Sequence, residues 1–337
     1  MIARAFHAWE RRLASVDQNR IIRPFEWGLD WLGLTADSAD PSAALSRYST
    51  GVMAASDEFY TAPRLSSADF NGHSLEFESA VQSPHSENNR VRLTVFPART
   101  KNGERPTRAV LVLPQWNADE GGHVGLCQGL ARFGITAVRL VLPYHERRRP
   151  ADLPRADFIV SANVGQTLAS NRQAVLDAKR AIDWLEDEGY SRIGIMGTSL
   201  GSCLSMLTMA HDARIRAGVF NHISPWFADV VWRGLSTVHV RAGLEGNITL
   251  DTLRDYWAPI SPWPFIDRVR DRKSLLIYAR YDLTFPVDLS QSFLAEFDRR
   301  GVPHDTAVLP CGHYTTGKAP FKFLDGYYIV KHFVQNL

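Results

Sequence analysis

Gly197-Thr198-Ser199-Leu200-Gly201 sets a serine midway between two glycines. A serine spaced this way fits the tip of a turn too tight to admit a Cβ on either side. The run before it, Arg192-Ile193-Gly194-Ile195-Met196, reads as a strand, and residues 202–210 read as the start of a buried helix. Strand, turn and helix in that order make Ser199 a candidate nucleophile, and the helix N-terminus offers the Leu200 N–H to a developing oxyanion. A serine hydroxyl is a weak nucleophile near neutral pH, so it needs a base, and the base needs an orienting acid. Asp282 follows the strand-like run Ser274–Ala279, and His313 follows the run Thr306–Leu309. Both fall just beyond strand ends, where open α/β sheets build their sites. Read singly, Asp282 is a helix cap and His313 a loop residue. Read jointly with Ser199, they are the acid and base of an acyl-transfer triad. Asp288, Asp229 and Asp267 are weaker choices for the acid, and His304 and His222 for the base. His304 precedes the last strand, which puts it at the wrong end of the sheet.

The elements that must hold these groups are legible as an alternation. Strand-like runs at Ala109–Leu113, Ala137–Leu142, Arg192–Met196, Ala217–Asn221, Ser274–Ala279 and Thr306–Leu309 are separated by helical patterns, such as Val164, Leu168, Val175, Ala178, Ile182 and Leu185. This predicts an α/β fold with a mostly parallel sheet covered by helices on both faces. Upstream, strands near Leu75–Ala80 and Val91–Phe96 flank a polar turn and predict an antiparallel hairpin at the sheet edge. Residues 1–65 read as a helical N-terminal extension and 66–337 as the main domain. One connection, about 225–267, is too long for a simple crossover and is rich in Trp and Pro, which predicts a helical lid over the site. Its indoles suggest a bulky apolar or aromatic substrate part, with Trp226 and Trp232 as contacts, or equally serve to pack the lid onto the sheet.

The composition bounds the partners. The chain has 337 residues, 45% of them hydrophobic, with a formal net charge of +2, enough for one large core and no reason to expect nucleic acid or an anionic membrane. The run Arg147-Arg148-Arg149 reads as a solvated loop. The three cysteines, Cys127, Cys203 and Cys311, fit a reducing compartment better than a disulfide framework. The N-terminus lacks an uninterrupted apolar segment with a cleavage site, and no stretch approaches the roughly 18 apolar residues of a membrane span. A cytoplasmic, soluble protein is expected. Without His-x-x-x-His, C-x-x-C or a dinucleotide fingerprint, neither a metal nor another cofactor is expected.

From about Arg108 to the C-terminus the chain resembles the α/β-hydrolases. The motifs that carry the resemblance are Gly197–Gly201, the acid turn Tyr281-Asp282-Leu283-Thr284-Phe285-Pro286 and the loop Cys311-Gly312-His313. Within that superfamily it is most similar to the abhydrolase-domain-18-like group and its bacterial dienelactone-hydrolase-like relatives, through Leu113-Pro114-Gln115-Trp116-Asn117-Ala118-Asp119 and Leu142-Pro143-Tyr144-His145-Glu146-Arg147-Arg148. The resemblance implies the α/β-hydrolase fold and the triad Ser199, Asp282 and His313. Many members carry His-Gly where this chain has Gln115-Trp116. The second oxyanion donor is a backbone N–H in any case, expected from Trp116 or, failing that, Gln115. Tyr144 and His145 end the next strand and are expected to open toward substrate, although His145 would equally serve to fix a loop. The expected activity is hydrolysis of a small carboxylic ester through an acyl-enzyme. An amidase, peptidase or thioesterase on the same triad, or a non-catalytic binding protein on the same scaffold, are the alternatives. Oligomeric state is not legible in the chain.

Overall fold

The computed structural model describes residues 2–17, 19–35, 40–98 and 106–337. Among these, nine strands make one sheet: β1 (Asp69–Phe70), β2 (Ser74–Glu78), β3 (Arg90–Phe96), β4 (Arg108–Leu113), β5 (Thr136–Leu140), β6 (Arg192–Thr198), β7 (Ile215–Asn221), β8 (Lys273–Ala279) and β9 (Asp305–Leu309). Their spatial order is β1-β2-β3-β5-β4-β6-β7-β8-β9. The pairs from β1 to β3, and β3 with β5, are antiparallel, and every other pair is parallel. The chemistry of the strands accounts for this split. In β3, Arg-Val-Arg-Leu-Thr-Val-Phe alternates half-buried and buried residues, as a strand with one wet face must. In β4, Ala-Val-Leu-Val-Leu is buried throughout, which is possible only where helices cover both faces.

The pleat of β4 divides the core in two. Leu111 and Leu113 pack with the helices Val164–Asp187 and Leu200–Ala210, whereas Val110 and Val112 pack with the helices Val124–Arg132 and Phe321–Asn336. From β4 the chain steps outward to β5, then crosses back to β6 on the other side. The carboxyl ends of β4 and β6 therefore diverge and leave a crevice where α/β sheets place their sites.

Between β7 and β8 runs a helical excursion with Phe227–Arg233, Val238–Leu244, Leu250–Tyr256 and the 3-10 turn Trp263–Val269. N-terminal helices α1 (Ile2–Ala14) and α2 (Pro41–Ala54) pack on the sheet domain. The expected extension over 1–65 includes Met1, Gln18 and residues 36–39, which lie outside the described residues. Ser49 Oγ of α2 donates to Tyr256 O at 2.8 Å, and Tyr60 Oη donates to Pro259 O at 2.9 Å, fastening this segment to the excursion. No described helix is long and apolar enough to cross a membrane.

Arg147 and Arg149 are exposed, as expected of a solvated loop, but the middle arginine of the run is not. Arg148 is fully buried and meets Asp177 at 2.7 Å, also fully buried. Its other donors serve Asn88 O and Val141 O, while Asp177 also accepts from Ser79 Oγ at 2.6 Å. Burial pushes the Asp177 carboxyl up, against the pull of Arg148 and Ser79. Removing one partner of such a pair costs about 3–5 kcal/mol, and the two partners are not equivalent. A stranded aspartate can take up a proton, whereas a stranded guanidinium cannot give one up. Urea denaturation is expected to show Asp177→Leu more destabilised than Arg148→Met; the reverse order would refute this account.

Candidate active site

Ser199 stands at the turn between β6 and the helix Leu200–Ala210 with φ 57° and ψ −119°, a backbone conformation that L side chains rarely adopt. Close packing enforces it. A Cβ on Gly197 would lie 1.9 Å from Gly201 O, and one on Gly201 would lie 2.1 Å from Leu113 O. Both glycines are therefore required by contact. The Ser199 N–H donates to Asn221 O at 2.8 Å, and Ser202 Oγ donates to both Ser199 O and His222 O, tying the turn to the end of β7.

The structure brings the three expected residues together. His313 Nε2 lies 3.1 Å from Ser199 Oγ, and His313 Nδ1 lies 2.9 Å from Asp282 Oδ2. With its Nδ1–H donating to the carboxylate, the neutral imidazole presents Nε2 as an acceptor for the serine hydroxyl. Asp282 Oδ1 accepts the Thr284 and Phe285 N–H groups at 2.8 and 2.7 Å. The Phe285 ring stacks on His313 at 5.3 Å and 12°. Burial favours the neutral acid, but the charges and hydrogen bonds of His313 and His222 outweigh it and hold Asp282 well below the usual carboxylate range. Burial likewise opposes the His313 cation, yet the Asp282 charge and hydrogen bond raise its pKa above the ordinary 6.5.

A fourth member is His222, weighed from sequence only as a substitute base. Its Nδ1 donates to Asp282 Oδ2 at 2.8 Å, beside His313, with the two ring centroids 4.4 Å apart. His222 therefore braces the acid and does not face Ser199. Its position at the end of β7, by the same strand-end rule that marked the other three, was the available signal. His222, Asp282 and His313 place ligand atoms within 4.8 Å of one another, close enough to hold a metal ion, but both Nδ1 atoms are directed at the carboxylate oxygen itself. The other candidates lie elsewhere. Asp288 pairs with Arg233, Asp229 with Arg254, and Asp267 with Arg270 and Arg300. His304 bonds Val302 O ahead of β9, at the opposite sheet end.

Across the crevice, the segment after β4 is stitched in place. Trp116 Nε1 donates to Ala156 O at 2.8 Å, Asn117 Oδ1 accepts from Ala156 N at 2.9 Å, and the Asn117 N–H donates to His145 Nε2 at 2.9 Å. Burial pulls the His145 pKa down to about 4, so the ring is neutral, and its Nδ1–H donates to Pro143 O at 2.9 Å. His145 thus fixes the loop and does not line the cavity beside Ser199. Tyr144 is fully buried, its N–H on Asn88 Oδ1 and its hydroxyl beside His85, which corrects its expected role as a substrate contact. The Leu200 N–H lies in the first helical turn, where N–H groups have no intrahelical acceptor. Neither the Trp116 nor the Gln115 backbone N–H has an acceptor among the described residues.

Beside Ser199 is a small cavity of about 30 Å³ walled by Trp116, Val160, Cys203, Phe227, Val231 and Phe285. Burial pushes the Cys203 thiol up to about 12, so it is no rival nucleophile. Trp226 and Trp232, expected as substrate contacts, do not line this cavity. On the helix Phe227–Arg233, residues 227, 230 and 231 share the cavity face at i, i+3, i+4 spacing, which turns the indoles away. Trp226 stacks on Trp263 at 6.0 Å, Trp232 lies under Arg241, and Trp257 is fully buried with Nε1 on Val164 O. The tryptophans pack the excursion onto the sheet domain.

Residues 90–237 match the family model described as alpha/beta hydrolase domain containing 18, a span that includes Ser199 but neither Asp282 nor His313. No curated protein matches the chain in sequence. In fold it is similar to acylaminoacyl peptidase from Pyrococcus horikoshii, with TM-score 0.59 and 14% identity over 81% of this chain and 42% of that one. It is similar also to acetyl xylan esterase 1 from Thermoanaerobacterium sp., with TM-score 0.59 and 13% identity over 95% and 98% of the two chains. An esterase of Pyrococcus furiosus gives TM-score 0.53 and 16% identity over 82% and 97%. The chain thus spans less than half the length of the peptidase and nearly all of each esterase. Sheet order, the turn at Ser199 and these likenesses converge on the α/β-hydrolase fold, and residues 90–237 are the part that matches the domain-18 family model.

Proposed function

We propose that this protein is a serine hydrolase that cleaves a carboxylic ester with a short acyl group, using Ser199 as nucleophile, His313 as general base and acid, and Asp282 as the orienting anion. The observation that carries the reading is the unbroken chain Ser199 Oγ, His313 Nε2, His313 Nδ1, Asp282 Oδ2, with links of 3.1 and 2.9 Å. Ser199 Oγ attacks the carbonyl carbon while His313 Nε2 takes its proton. The tetrahedral oxyanion lies at the Leu200 and Trp116 N–H groups. The alkoxide leaves with the proton from His313, and water then repeats the sequence on the acyl-enzyme. The small cavity of about 30 Å³ beside Ser199 supports a short acyl group over the bulky substrate suggested by the tryptophan count. Likeness over nearly full length to acetyl xylan esterase 1 supports ester chemistry over the peptidase alternative.

A fluorophosphonate probe is expected to label Ser199, and Ser199→Ala to abolish both labelling and ester turnover while remaining folded. Labelling of another serine would sink the assignment. Loss of activity on acidification should follow protonation of His313, so the midpoint of the acid limb of kcat/KM is expected above pH 6.5; a midpoint well below that would contradict the Asp282 contact. His222→Ala leaves Asp282 one donor short, and a hydrogen bond to a charged group is worth about 1.5–3 kcal/mol, so a drop of roughly 10- to 100-fold in kcat is expected. Among matched p-nitrophenyl esters, acetyl should be turned over best. Val231→Ala should shift preference toward longer chains, by about 10-fold or more per accommodated methylene. Matched thioester and anilide substrates would expose a thioesterase or amidase if either outpaced the ester.

A further inference from the structure

Helix α1 takes no part in the reaction above, yet it carries a completely buried carboxylate, Glu10. A buried charge needs compensating hydrogen bonds, and among the described residues those of Glu10 come from the loop that bears His313. Oε2 accepts the Tyr314 N–H at 2.9 Å, and Oε1 accepts the Thr315 N–H at 2.9 Å and the Thr315 hydroxyl at 2.8 Å. Thr315 Oγ1 in turn accepts the Gly312 N–H at 2.7 Å, so the hold reaches both sides of His313. The backbone is pressed against the carboxylate so closely that a Cβ on Gly312 would lie 2.4 Å from Glu10 Cδ. One helical turn earlier, Phe6 stacks on Tyr281 at 4.7 Å and 13°, beside the acid Asp282. A single helix thus touches the acid turn and the base loop together. The end of β8 holds only the start of this loop, through the Tyr281 N–H on Cys311 O at 2.9 Å, and Thr316 bonds Gly312 O from within it; the Tyr314 and Thr315 N–H groups go to Glu10.

We propose that Glu10 is a positioning residue for His313: its carboxylate holds the loop 312–315 so that Nε2 stays within reach of Ser199, which makes α1 a working part of the site. The proposal rests on the serine-hydrolase reading above. A carboxylate that only stabilised the fold would alter the amount of folded protein. One that positions the base alters turnover by the folded protein. Its charge also contributes, after the larger effects of burial and Asp282, to the raised pKa of His313. The other ionisable groups around that ring are Asp282, His222, and Cys311 and Tyr314 on its own loop; the Glu10 charge also raises the Cys311 pKa, but burial is the larger cause and the thiol stands at about 12.

The test is Glu10→Gln in the full chain, which keeps the volume but removes the charge and sets an amide donor against a backbone donor. With p-nitrophenyl acetate, kcat is expected to fall about 10- to 100-fold, the range a small misplacement of reacting groups produces, with KM little changed. The rate of Ser199 phosphonylation by a fluorophosphonate should fall in proportion, and the acid limb of either rate should move to lower pH. Thr315→Val, which removes the bridging hydroxyl and keeps the charge, should lower kcat without moving the limb, and it decides the matter if Glu10→Gln does not fold. Wild-type kcat with an unmoved limb in a folded Glu10→Gln protein, or wild-type kcat in Thr315→Val, would overturn the proposal. If wild-type protein labels at Ser199, such a result leaves the serine-hydrolase reading standing. If wild type does not label, that reading falls and the proposal falls with it.

Discussion

The site depends on one buried anion. Asp282 accepts four hydrogen bonds, from the Thr284 and Phe285 backbones on one oxygen and from His222 and His313 on the other. Each fixes something different: the first two close the turn after β8, and the last two hold imidazoles from the neighbouring strand ends. An unpaired carboxylate at this depth would protonate. In the fully bonded state it stays charged and orients both rings. Parallel strands lie about 4.8 Å apart, so residues just beyond adjacent strand ends reach one another without long loops. Ser199 follows β6, His222 follows β7, Asp282 follows β8 and His313 follows β9, and these four strands are consecutive neighbours in the sheet. Chain order and spatial order coincide here, and the register of the sheet sets the geometry of the site.

On the other side of the crevice the restraint is backbone contact. Gly197 and Gly201 permit the turn that lifts Ser199 clear of β6, and Gly201 packs against Leu113 and Pro114 at the end of β4. The strain at Ser199 persists because neighbouring backbone fills the space that relaxation would need. His145, Asn117 and Trp116 then fix the opposite lip through Ala156 and Pro143. Donors held this way need no reorganisation as charge develops, which is where most electrostatic stabilisation of a transition state arises.

The strands were legible because buried parallel strands leave unbroken apolar runs, and Ser199, Asp282 and His313 because each follows such a run. Three things were not legible. Arg148 stood in a run of arginines whose charge implies water, and its burial follows from Asp177, 29 positions away on the opposite wall of the core. The tryptophans of the excursion read equally as a substrate surface or as packing, since residue type gives contact area but not the direction a short helix turns it. His222 read as a spare base, because the tautomer and target of a histidine depend on a carboxylate 60 positions on. In each case the local pattern was right and the partner was distant.

The same reasoning bears on the N-terminal residues, which carry none of the motifs and read as an addition to the main domain. Glu10 meets Tyr314 and Thr315 across more than 300 positions, and Tyr256 and Pro259 of the excursion receive Ser49 and Tyr60. A carboxylate in an amphipathic helix ordinarily marks the wet face, so nothing local in Ala8-Trp9-Glu10-Arg11 announces burial. The arginines of α1, its apolar tip and even Trp9 are exposed, while the acid goes inward to three donors. The sheet can place His313 only as far as the end of β9. Beyond that point the ring is held by Asp282 ahead of it and by the loop behind it, which Tyr281 anchors at Cys311 and Glu10 at Tyr314 and Thr315.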